Sequence, residues 1–69
     1  MNISARNKIP GIVGKITTGA VNAEITVVLH GGGELVSVIT KTSAKALKLK
    51  KGSPIIAVIK SSDILLAVL

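Results

Sequence analysis

The chain has no cysteine, phenylalanine, tyrosine or tryptophan, and its 69 residues include only three carboxylates and one histidine. Without cysteine there is neither a disulfide framework nor a thiolate metal site, a usage that fits a reducing cytoplasm. His30, Glu24, Glu34 and Asp63 are too few and too scattered to cage a cation, so no direct metal ligands are expected. The same shortage argues against an enzyme. General acid–base work draws on histidine, paired carboxylates or a lysine displaced in a pocket, whereas His30 lies in a glycine-rich turn, as a solvated turn residue would, and the carboxylates fall in three separate segments. No catalytic residue and no catalytic cofactor are expected. Missing aromatics also remove the platforms on which nucleic-acid bases stack, each worth about 1–3 kcal/mol. What is left for a single strand is salt-sensitive attraction alone. Behind Met1–Asn7 no long apolar run follows, so neither a signal peptide nor a membrane span is expected, and cytoplasmic placement follows.

Apolar residues, by contrast, are abundant: 48% of the chain is hydrophobic and the mean hydropathy is +0.66. A domain this short buries only about 60% of its unfolded surface. Small domains make up the deficit with disulfides, a metal or association, and the first two are excluded. Self-association is therefore expected, through surplus apolar strand faces. The formal charge of +6 attracts anions within a Debye length of about 8–10 Å. Nucleic acid, acidic lipid headgroups and a small inorganic oxyanion are the candidates that charge alone admits.

Residues 1–69 form a single unit without repeat, low-complexity tract or linker. Apolar positions recur with period two or in short runs between Gly, Pro, Ser and Asn clusters, which predicts strands. The first strand runs from about Lys8 to Thr18, with Pro10, Gly11 and Gly14 suited to an edge, a bulge or a tight bend. In the second, Val21, Ala23, Ile25, Val27 and Leu29 alternate with Asn22, Glu24 and Thr26. His30–Glu34 turns the chain into a third strand, Leu35 to Thr40. Thr42 or Ser43 can cap a short helix through Ala44–Leu47, stopped by Gly52. Ile55–Ile59 and Ile64–Leu69 are apolar on both faces and are expected to be covered on each, as strands four and five. The fold class is therefore all-β: a five-stranded OB-like barrel with one short helix between strands 3 and 4.

A tetrahedral oxyanion needs short donors converging on a point, with positive charge to offset its own. Three segments offer that mixture: Ser4-Ala5-Arg6-Asn7, Lys60-Ser61-Ser62, and Thr40-Lys41-Thr42-Ser43 at the helix start. Each also has an ordinary explanation, as a solvated terminus, a polar turn and a helix cap respectively. Composition leaves both open.

Ser4-Ala5-Arg6-Asn7 at the start, Ala23-Glu24 in strand two, Ser37-Val38-Ile39-Thr40, and Ala57-Val58-Ile59-Lys60-Ser61-Ser62-Asp63 near the end together resemble the molbindin family. These are the small Mop proteins, single units of the TOBE domain also found in molybdate transporters and molybdate-responsive regulators. The resemblance covers essentially the whole chain and departs from the family pattern at Pro10, which bears on strand pairing there. It implies an OB-like barrel assembled as a homohexamer, a trimer of dimers, that binds molybdate or tungstate at subunit interfaces for intracellular molybdate storage, with no nucleic-acid or membrane partner. Carried over, one site combines Ser4, Ala5, Arg6, Lys60 and Ser61 with Val21, Asn22 and Ala23 of a neighbour. A second, near the threefold axis, takes Ile39, Thr40, Lys41, Thr42 and Ser43. The remaining alternatives are a basic OB-type module binding single-stranded nucleic acid and a purely structural oligomer. A bound pterin would want an aromatic or deep apolar cleft.

Overall fold

Three of the four buried apolar residues come from one alternating strand: Ala23, Ile25 and Val27 point inward beside Val13, while Glu24 between them stays exposed, as a period of two requires. The structure, a computed structural model, describes residues 4–69. Its elements are β1 (Asn7–Thr18), β2 (Asn22–Leu29), β3 (Glu34–Thr40), α1 (Lys41–Ala46), β4 (Pro54–Ile59) and a short 3-10 turn (Ser61–Asp63). The strands form one antiparallel, curled sheet in the order β3-β2-β1-β4. The expected all-β, OB-like class with a helix between the third and fourth strands is what the chain adopts.

β1 is the spine. Its first half pairs with β4 and its second half with β2, and the β1–β2 register shifts between Val13 and Lys15. Gly14 is thus the bulge that bends the sheet, as its position in the sequence suggests. Pro10 fits without loss: it faces Ile56 of β4 and lies just outside the β1–β2 register, which begins at Gly11, so its missing N–H removes no bond to β2. The β2–β3 hairpin turns through Gly32 and Gly33, whose φ values of 97° and 88° are open to glycine at no steric cost.

Four expectations need correction. The helix cap is Thr40, two or three residues earlier than Thr42 or Ser43: its hydroxyl accepts the Ser43 backbone N–H at 3.0 Å. The helix is not stopped by Gly52. Lys48 enters the left-handed region at φ 55°, its N–H donating to the Lys45 carbonyl and that of Leu49 to the Ala44 carbonyl, which is a Schellman closure with lysine in the usual glycine position. Gly52 instead ties the following loop to β1 through a bond to the Val13 carbonyl. Finally, Ile64–Leu69 is not a fifth strand within this chain. It has no strand assignment, and Leu65, Leu66, Val68 and Leu69 are almost fully exposed. An apolar run marks a segment that needs cover without saying which chain supplies it. β4 likewise is an edge, with Ile56 and Val58 exposed, rather than a strand covered on both faces.

The left-handed Lys48 is costly, by about 1–2 kcal/mol for an L-residue, against roughly 0.5–1 kcal/mol of extra chain entropy lost by glycine. Lys48→Gly is accordingly expected to raise stability by about 0.5–1 kcal/mol, seen as a higher urea midpoint at fixed protein concentration. A lower midpoint would mean that the side chain stabilises the fold.

Candidate functional site

The antiparallel pairing of β1 with β4 puts Asn7 opposite Ile59, and so lays the segment before β1 against the segment after β4. The Asn7 side-chain amide clamps the junction, donating to the Ile59 carbonyl at 3.2 Å and reaching the Ser61 hydroxyl at 3.5 Å. Ser4, Ala5 and Arg6 therefore share one end of the sheet with Lys60 and Ser61. Arg6, Lys60 and Ser61 are exposed and Ala5 is half-buried. The 3-10 turn closes with the Asp63 N–H on the Lys60 carbonyl at 2.9 Å. That bond engages a carbonyl and leaves the ammonium of Lys60 and the hydroxyls of Ser61 and Ser62 at the surface. The sequence placed Asn7 only at the end of the donor segment Ser4–Asn7; nothing in its spacing distinguished a clamp from an ordinary polar strand end.

The opposite end of the sheet gathers the other group. Asn22 pairs with Thr40 and Ala23 with Ile39, and the Lys41 N–H donates to the Val21 carbonyl at 2.8 Å. Val21, Asn22 and Ala23 thus lie beside Ile39, Thr40, Lys41, Thr42 and Ser43. Here much of the polar chemistry is turned inward: besides accepting the Ser43 N–H, the Thr40 hydroxyl donates to the Ser43 hydroxyl at 2.8 Å. Ala23 is buried, with strand partners on both sides. Val21 and Asn22 lie where the chain turns, with Val21 70% exposed. Their carbonyls are bonded to Lys41 and Gly19, but an anion is bound through N–H groups.

The two groups are far apart within one chain. Twelve residues of β1 separate them, a length of roughly 40 Å at about 3.4 Å per residue before bending, and the molecule is 35 Å in its longest dimension. An ion held by hydrogen bonds of about 3 Å cannot touch both. Between the open edges of β3 and β4 runs an apolar cleft of about 570 Å³, lined by Leu35, Ile39, Ile55, Ile59, Leu47 and Leu49 among others. Among the described residues no helix is long and apolar enough to cross a membrane.

A curled, OB-like sheet bearing basic and hydroxyl-rich segments at its two ends is the architecture of a small-ligand-binding β module. Residues 3–66 match the TOBE domain. The chain belongs to the TOBE domain family, within its molbindin branch. It is 38% identical over 66 residues to molybdenum-pterin-binding protein 1 of Clostridium pasteurianum, covering 96% of this chain and 97% of that protein. To the molybdenum transport protein ModE of Herbaspirillum seropedicae it is 46% identical over 66 residues, but it spans only 24% of that relative's length. Among solved structures, a molybdate-binding protein from Sporomusa ovata superposes with a TM-score of 0.91 at 36% identity, covering 97% of this chain and 98% of that one. The cytoplasmic molybdate-binding protein ModG, solved with molybdate bound, gives 0.90 at 48% identity over 94% of this chain and 46% of its own.

Proposed function

We propose that this chain binds molybdate, and the chemically similar tungstate, as a non-enzymatic store of the oxyanion in the cytoplasm, and that it does so as a homohexamer built as a trimer of dimers from single-domain subunits. The observation that carries the proposal is the placement of donors: Ser4, Ala5, Arg6, Lys60 and Ser61 converge at one end of the sheet, and the turn containing Val21 and Asn22, with Ala23, lies at the other. Two copies meeting end to end bring the halves together. Arg6 and Lys60 then offset the dianion's charge while Ser4, Ser61 and backbone N–H groups fix its geometry. The segment Ile39–Ser43 is the second proposed site, with Lys41 as its cation. A molybdate-binding protein and a molybdenum-pterin-binding protein, each matched along nearly its full length, support the ligand. Neither a nucleic-acid nor a membrane partner belongs to this function.

Calorimetric titration with molybdate at about 0.15 M salt, with sulfate and phosphate as controls, is the direct test. Tight molybdate binding with negligible sulfate heat is expected; no molybdate response would end the proposal.

Self-association is supported by the exposed tail and by the apolar cleft between the edges of β3 and β4. Cover for the tail at about 1.5–3 kcal/mol per large side chain outweighs the cost of ordering it. A chain ending at Asp63 is therefore expected to lose its largest assembly in light scattering. An unchanged mass would show that the tail takes no part.

A further inference from the structure

A small cavity of about 170 Å³ opens between α1 and the adjoining ends of β1 and β2. Lys41, Lys45 and Lys48 line it, and Ile16, Ala23 and Leu49 supply an apolar floor. Lys41 and Lys45, four residues apart, share one face of α1, Lys48 follows just beyond the helix end, and none of the chain's three carboxylates lines the cavity. A second, independent feature singles out Lys48. It occupies the left-handed position that glycine would close without strain. An unfavourable backbone geometry and an unfavourable charge cluster thus coincide at one side chain.

We propose that this cavity binds a small phosphorylated organic molecule, with the phosphate among the three ammonium groups and the apolar body on Ile16, Ala23 and Leu49. A bare oxyanion gains nothing from an apolar floor and loses hydration there. The volume corresponds to about five or six waters at ~30 Å³ each and lies below the ~300–1,000 Å³ of pockets that enclose larger ligands. A single-ring phosphate ester matches that size. The cavity shares Lys41 with the second proposed molybdate site and Ala23 with the first, but Lys45 and Lys48 belong to neither, so variants at those two separate this site from the oxyanion function.

The test is a titration of the purified full chain, in its native assembly, with phenyl phosphate, inorganic phosphate and molybdate, read by calorimetry and by amide chemical shifts. Phenyl phosphate is expected to bind at least tenfold more tightly than inorganic phosphate and to shift the amides of Ala44 and Leu49. Lys45→Ala and Lys48→Gly should each weaken it severalfold and leave molybdate affinity unchanged. Since Lys48→Gly is expected to fold at least as well as the parent, its loss of binding is not a loss of structure. Equal affinity for the two phosphates, shifts confined to other regions, or indifference to Lys48→Gly would each overturn the site. Phenyl phosphate binding without molybdate binding would uphold it while removing the oxyanion function.

Discussion

Alanine at position 11 is expected to destabilise the protein by about 2–3 kcal/mol, the largest stability effect of any single methyl group added to the sheet. Gly11 is buried between β2 and β4, and a Cβ there would sit 2.5 Å from the Val28 carbonyl oxygen and 3.0 Å from a Val27 methyl. The first contact is with backbone, which yields only if β1 and β2 separate. A domain of this size has roughly 3–10 kcal/mol in total, so the loss is a large share, corresponding to a fall of about 10–20 °C in Tm. Gly14→Ala is the informative partner. Its Cβ would meet a Val28 side-chain methyl at 2.7 Å, which can rotate away, and the expected cost is about 1 kcal/mol. Equal midpoints for the two variants in urea would show that backbone crowding at Gly11 is not what limits the fold.

Removing either cation at the Asn7–Ile59 end is expected to weaken molybdate binding by about 10- to 100-fold, the equivalent of one charged hydrogen bond of about 1.5–3 kcal/mol. Arg6→Ala and Lys60→Ala both change exposed side chains, so their circular dichroism and thermal midpoints should match the parent. Lys15→Ala separates local from general electrostatics, since Lys15 is exposed opposite Thr26 in the middle of the sheet. It lowers the net charge equally but removes no ligand contact, and should cost less than threefold at about 0.15 M salt. If all three variants weaken binding alike, the ion is drawn by overall charge and the site assignment is wrong.

Periodicity read most accurately where one face of a strand meets this chain's own core. Ala23, Ile25 and Val27 alternate with exposed or half-buried neighbours, and all three are buried. The bulge at Gly14 and the glycine turn into β3 were legible for the same reason: special backbone geometry selects special residues. Patterns failed where the partner lies elsewhere. Ile64–Leu69 has the composition of a covered strand, yet Leu65 and Leu66 are each 93% exposed. The helix ends were displaced because capping is decided by geometry: among Thr40, Thr42 and Ser43 several hydroxyls qualify by type, and it is Thr40, still extended at the end of β3, whose hydroxyl receives the Ser43 N–H. Lysine in a left-handed closure has no signature at all. Of the site, residue types and segments were visible in the sequence; what was not visible was that Asn7 ties two of those segments together, a contact that no local spacing encodes.

The uneven division of labour along β1 also dictates an order of events in folding. Its C-terminal half meets β2 across a tight turn, and β2 meets β3 across another, so this meander can zip from short loops. The N-terminal half must wait for β4, and the Asn7–Ile59 contact closes a separation of 52 positions. Loop-closure entropy makes such non-local ladders slow to form. The end of the sheet that carries Arg6 and Lys60 is consequently the part whose closure costs the most chain entropy. A ligand seated there would hold closed the ladder whose strands lie farthest apart in the sequence.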